Sequence, residues 1–152
     1  MSIPVAVQLY TLRDVMEKDF VGTLEKVAEI GYKGVEFAGY GGLTAGQLKG
    51  HLDRLGLKVA GSHIGIDKLR NELDELIEYN LQIGNPYMIC PWAKFETKAE
   101  VEEAAALYNK IGESCKKKGL QFGYHNHAHE FKTIDGEYIL DMLFRLTDPE
   151  LV

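Results

Sequence analysis

The sequence has no apolar run of the roughly 18 residues that a membrane-spanning helix needs. Its start, MSIPVAVQLYTLRD, lacks a basic segment followed by a long apolar core, so no signal peptide is expected there. Cysteine is scarce: Cys90 and Cys115 are the only two, too few for a disulfide framework. Cys90 falls in an apolar strand-like run and Cys115 in a helical pattern, so both are expected to be buried thiols. That usage fits a cytoplasmic protein. Clustered positive charge is also missing. The 17 Lys and Arg are outnumbered by 23 Asp and Glu, giving a net charge of −6. A broad phosphate-binding footprint is therefore not expected, and neither nucleic acid nor membrane is an expected partner. The one basic run, Lys116-Lys117-Lys118, stands just before Gly119 and reads as the last turn of a helix, where cations meet the negative end of the dipole.

What is present is a globular composition, 45% hydrophobic over 152 residues, which fits one domain spanning residues 1–152. A local pattern recurs four times: GYKGVEF (31–37), GLKVAGSH (56–63), GNPYMIC (84–90) and GLQFGYH (119–125). In each, a glycine suited to the left-handed position past a helix end leads into a short apolar run. Those runs are too short for helices and read as buried strands. IPVAVQLY reads as a strand that precedes them all. Between the strands lie amphipathic stretches. Thr44 with Gln47, and Thr97 with Glu100, have capping-box spacing. DKLRNELDELIEYN reads as one helix with Leu69, Leu73, Leu76 and Ile77 in a stripe and Asp67 as its cap. A last helix near EYILDMLFRL precedes a TDPE turn, and Leu151-Val152 reads as the beginning of a sixth strand.

Strands alternating with helices imply a parallel sheet covered by helices, either an open doubly wound sheet or part of a (β/α)8 barrel. The first βα turn, QLYTLRD, has no glycine, and AGYGG (38–42) lacks GxGxxG, so a dinucleotide fingerprint is absent. Polar residues of catalytic type stand at the strand ends: Glu36 after the second, His63 after the third, Pro91 and Trp92 after the fourth, and YHNHAHEF (124–131) after the fifth. In a parallel sheet these ends share one side, where both architectures build their sites. Side chains two apart in a strand share a face, so His125 and His127 point away from Phe122 and Tyr124. Imidazoles beside a carboxylate suit a divalent first-row metal. A charged Glu36 inside an apolar strand needs polar partners or solvent. Trp92 either stacks on a sugar face or packs a loop.

These residues carry a resemblance. VQLYTLRD, TLEKVAEIGYKGVEFAG (23–39), GLKVAGSH and GLQFGYHNHAHEF (119–131) resemble the sugar phosphate isomerase/epimerase group of the xylose isomerase-like superfamily, in order and over nearly the whole chain. The resemblance implies an α/β fold: a partial TIM barrel of about five βα units with parallel strands, ending before the sixth strand of a barrel that runs to about 250 residues. It implies aldose–ketose isomerisation, epimerisation or keto-inositol dehydration on a keto-sugar or polyol, with or without a phosphate. It implies a divalent metal (Mn, Mg, Co or Zn), held here by His125 or Glu130, with further ligands on strands beyond this sequence. Glu36, His63 and Glu130 are then the expected catalytic residues, and His127 and Trp92 the expected substrate-binding ones. Two rival expectations stand beside this: a non-catalytic partial barrel that hides its open edges by self-association, and a metal-dependent protein acting on abasic DNA.

Overall fold

The computed structural model describes residues 3–152, and its elements alternate as the glycine-to-strand pattern predicts. Strand β1 (Ala6–Gln8) is followed by a 3-10 turn (Leu9–Leu12) and helices α1 (Arg13–Met16) and α2 (Phe20–Ile30). Then come β2 (Gly34–Phe37), α3 (Ala45–Leu55), β3 (Lys58–His63), α4 (Ile66–Asn71), α5 (Leu73–Ile83) and β4 (Tyr87–Cys90). The chain continues through α6 (Lys98–Lys117), β5 (Gln121–Tyr124), a 3-10 turn (His129–Phe131), β6 (Thr133–Ile134), β7 (Glu137–Tyr138) and α7 (Ile139–Leu146). The main sheet holds five strands in sequence order, β1-β2-β3-β4-β5. Sequential strands with helices between them are the barrel pattern. Among the described residues, no helix is long and apolar enough to cross a membrane.

Local chemistry explains most boundaries. Both capping boxes form: Thr44 and Gln47 exchange bonds at the start of α3, and Thr97 and Glu100 at the start of α6. Gly31, Gly56, Gly84 and Gly119 all have positive φ. Each closes a helix and turns the chain into a strand, a conformation that costs a residue with a Cβ. Lys116 and Lys117 occupy the last turn of α6.

Four expectations are corrected. The first strand stops at Gln8, because the Gln8 side chain accepts from the Tyr10 backbone amide and curls the chain into the 3-10 turn. The expected single helix over DKLRNELDELIEYN is two helices. Glu72 leaves the helical range at φ −130°, and the cap of α4 is Gly65, not Asp67. β6 and β7 form an antiparallel hairpin. Its turn is Asp135-Gly136, both at positive φ, as a tight hairpin of this kind requires. Leu151 and Val152 do not start a strand; their amides bond back to the Asp148 carbonyl in a turn.

The chain forms two compact units. The first comprises the residues up to His63 together with Glu78–Tyr87. Its core gathers Leu24, Val27, Val35, Phe37, Leu48, Leu52 and Ile83. The second comprises Ile64–Ile77 and Met88–Val152. Its core gathers Ile77, Met88, Tyr108, Ile111, Phe122, Ile139 and Met142. Cys90 and Cys115 belong to this second core as buried free thiols, as their sequence context predicts.

Candidate functional site

In the first unit, β1, β2 and β3 run parallel and place three polar side chains together. Gln8 is the register partner of Glu36. On the other side of β2 the register slips: Val35 pairs with Val59, but Glu36 pairs with Gly61. Ala60 is the extra residue of a bulge, a device that re-aims the side chains after it. Ser62, opposite Phe37, is therefore fully buried and accepts from Asn85 Nδ2 at 3.1 Å. The next residue, His63, turns to the face of Glu36.

There the contacts are close. Gln8 Nε2 donates to Glu36 Oε1 at 2.9 Å and lies 3.1 Å from His63 Nδ1. His63 Nε2 lies 3.0 Å from the same Glu36 oxygen. The Glu36 side chain is 26% exposed and that of His63 11%. The carboxylate at this strand end thus accepts a hydrogen bond from Gln8 and has an imidazole close beside it, which is what lowers the cost of placing it there.

In the second unit, the His-rich segment follows β5. The His125 amide bonds the Cys90 carbonyl, continuing the backbone pairing one residue past the strand. The chain then bends back over Glu130, which has no exposed surface. Tyr124 Oη donates to Glu130 Oε1, and the His127 amide donates to Oε2 at 2.7 Å. His129 Nε2 sits 3.0 Å from the Ala93 carbonyl and 3.3 Å from Glu130 Oε1. Both neighbours are acceptors, so Nε2 carries the imidazole proton. Burial pushes the Glu130 carboxyl up, but the bonds from Tyr124 and the loop amides, with His129 nearby, outweigh it and hold the group below the usual carboxylate range. Burial, together with the bonded carboxylate, pushes the Tyr124 hydroxyl well up, so it stays a donor.

The rings of this segment form a row. His125 lies 4.9 Å from His127, His127 lies 5.9 Å from His129, and His129 lies 5.8 Å from the half-exposed Trp92. Among the described residues, His127, His129 and Glu130 form a group whose ligand atoms lie within 4.8 Å of one another. Two imidazoles and a carboxylate are a donor set that fits a divalent first-row ion. His125, the alternative ligand named from the sequence, is not in that group.

The structure therefore brings Glu36 together with His63, and Glu130 together with His127 and His129. Two residues were missed by sequence reading. Gln8 was passed over because a glutamine near the start of a chain carries no motif; its position opposite Glu36 appears only with the strand register. His129 lies past the strand, where the two-residue alternation no longer holds, and the 3-10 turn returns its ring to the group.

No protein-family model and no curated protein matches the sequence, whereas solved structures match its fold. A sugar phosphate isomerase/epimerase from Parabacteroides distasonis superposes with a TM-score of 0.81 at 24% identity, over 97% of this chain and 63% of that one. A family 2 AP endonuclease from Brucella melitensis gives 0.74 at 15% identity, over 97% and 66%. A xylose isomerase-like TIM barrel protein from Mycobacterium smegmatis, in complex with magnesium, gives 0.63 at 11%, over 94% and 61%. The fold is a partial TIM barrel. At these identities the likeness concerns the fold, and this chain spans about three-fifths of each structure's length, 61–66%.

Proposed function

We propose that this chain contributes to a metal-dependent isomerase or epimerase acting on a keto-sugar or polyol, phosphorylated or not. The observation that carries this reading is the Glu36 carboxylate, held at a strand end by Gln8 and His63 and still partly open. Isomerisation and epimerisation both need a base that removes a proton from carbon beside a carbonyl, and a fixed, partly desolvated carboxylate suits that task. Glu36 is assigned this role. His63, 3.0 Å from Glu36, is assigned to substrate hydroxyls. Trp92, half-exposed beside His129, offers an apolar face to a sugar ring. His127, exposed beside that row, is assigned to substrate hydroxyls or to the metal.

His127, His129 and Glu130 would hold a divalent ion, with His125 next to them. Bound there, the ion would act as a Lewis acid toward a substrate oxygen. Glu130 also fixes the loop itself, through Tyr124 and the His127 amide. A cytoplasmic location is part of this reading, supported by the two buried free thiols.

Metal content by mass spectrometry, with turnover on a panel of ketoses and keto-sugar phosphates, tests the proposal. The expected result is one equivalent of divalent metal, with Glu130→Ala weakening its binding tenfold or more, as the loss of a ligand does. Neither metal nor turnover would favour a second reading, a partial barrel that associates with its own copies. The strongly exposed Ile3 and Val5, beside the outer strand β1, favour that reading. The likeness to an AP endonuclease makes abasic DNA a rival substrate, and the net charge of −6 counts against it.

A further inference from the structure

The chain has four arginines, and three of them meet a carboxylate. Arg54 lies 2.7 Å from Glu25, Arg70 3.3 Å from Glu103 and Arg145 2.8 Å from Glu137. Among the described residues Arg13 is the exception, in a sequence where acidic residues outnumber basic ones. Its guanidinium is held by Tyr10 instead. Nη1 donates to the Tyr10 carbonyl at 3.0 Å, and Cζ stands 4.7 Å from the centre of the Tyr10 ring. Both residues are exposed. Such a stack steadies the plane of the guanidinium without neutralising its charge. Nε and Nη2 are left to form the fork that grips an oxyanion through two parallel bonds.

Arg13 begins α1, directly after the 3-10 turn that follows β1. That turn is bonded to the candidate site. The Tyr10 amide donates to Gln8 Oε1 at 2.5 Å, and Gln8 Nε2 donates to Glu36 Oε1 at 2.9 Å. Arg13, Tyr10, Gln8 and Glu36 are therefore joined in series by hydrogen bonds, on the carboxyl side of β1 and within one unit. Tyr10 and Arg13 belong to the VQLYTLRD stretch, yet neither the core of that unit nor the chemistry assigned to Glu36 uses them.

We propose that Arg13, steadied by Tyr10, is a specificity-determining residue that binds the oxyanion of an acidic polyol, a phosphate or a carboxylate, while the neutral part of that molecule reaches toward Glu36. A chain of net charge −6 repels anions at long range, so an anionic ligand needs a local cation that no carboxylate has already claimed. A guanidinium supplies a planar pair of donors matched to either group, which a lysine ammonium does not. The oxyanion site rests on the Arg13 and Tyr10 geometry. Its polyol ligand rests on the isomerase reading above, for which it selects acidic substrates over neutral ones.

The test titrates the protein with glucose 6-phosphate, glucuronate, inorganic phosphate and glucose, at an ionic strength held constant with chloride. The readout is the Arg13 Nε–H signal in a proton–nitrogen NMR spectrum, identified by its loss in Arg13→Lys. A saturable shift with at least one acidic probe and none with glucose is expected. Saturation by the two phosphates alone names phosphate as the group, and saturation by glucuronate alone names a carboxylate. Calorimetry on Arg13→Ala is expected to show binding of the same probe weakened tenfold or more, as the loss of charge-assisted bonds does. An Arg13 signal unmoved by all three anions, or moved equally by chloride, overturns the proposal even if the variant fails to fold. Unchanged affinity in a folded Arg13→Ala protein also overturns it. The measurement needs neither metal nor turnover. Anion binding at Arg13 without turnover leaves the site standing and counts against the isomerase reading, whereas turnover of neutral ketoses with a motionless Arg13 signal does the reverse.

Discussion

Tyr124 gives the hydrogen of its hydroxyl to Glu130, six residues further along the chain. The carboxylate has no exposed surface, and its other oxygen is taken by the His127 amide. Tyr124 also packs on Tyr108 of α6, with ring centroids 5.5 Å apart. The tyrosine therefore ties the His-rich loop to the core of its unit. Tyr124→Phe keeps the ring and removes the donor. It is expected to destabilise the protein by about 1–3 kcal/mol, the cost of leaving a buried acceptor short of a partner. The urea unfolding midpoint checks this. A midpoint equal to wild type would show that the bond contributes nothing.

The same carboxylate sets a pH dependence. Its pKa is lowered in the folded protein, since the hydrogen bonds it accepts outweigh its burial. A carboxylate with a lowered folded pKa adds stability that is complete above the unfolded value, about 4.3, and is lost as pH falls through the folded value. The stability difference between wild type and Glu130→Gln is therefore expected to be flat above about pH 5 and to shrink as the solution becomes more acid than the ordinary carboxylate range. Unfolding curves at a series of pH values give this difference directly. A difference that grows on acidification would contradict the assignment.

Asn85 is buried at 3% exposure, and its Nδ2 lies within bonding distance of Ser62 Oγ, Asn80 Oδ1 and the Tyr87 carbonyl. Its Oδ1 accepts from the Tyr87 amide at 3.2 Å. Asn85→Ala strips partners from several buried groups at once. A loss of about 3 kcal/mol is expected, from two groups at about 1–3 kcal/mol each. Thermal melting detects such a loss readily, and a shift within the error of the wild type would show that the network rearranges freely.

Gly41 and Gly42 give a paired comparison. Both have positive φ, 61° and 73°. A Cβ on Gly41 would run into the Phe20 ring, whereas one on Gly42 meets nothing within 4 Å. Gly42→Ala is expected to cost about 1 kcal/mol, the strain of a left-handed residue with a Cβ. Gly41→Ala should cost about 1–3 kcal/mol more, as overpacking does. Equal melting temperatures for the two variants would refute the steric part.

The alternation of strands and helices was legible because its signals are local. Gly31, Gly56, Gly84 and Gly119 end helices wherever they stand, and the Thr–Gln and Thr–Glu pairs mark helix starts without help from tertiary contacts. The Asp135-Gly136 turn carried an equally local signal, a two-residue hairpin dipeptide, but the surrounding EYILDMLFRL was read wholly for its helical period. The break at Glu72 had no such mark, since the apolar stripe runs straight through it. Within the site, residue types at strand ends were readable, and pairings were not. Gln8 meets Glu36 through register. His129 joins His127 and Glu130 through a 3-10 turn, which no alternation rule anticipates.

The bulge at Ala60 has a chemical outcome. Counted evenly from Val59, a regular strand would send the imidazole of residue 63 inward among the leucines and valines and leave the hydroxyl of residue 62 facing the carboxylate. The additional residue reverses that parity. Whether this edge of the barrel offers an imidazole or a plain alcohol is therefore decided by an odd or even count, not by which amino acids are present.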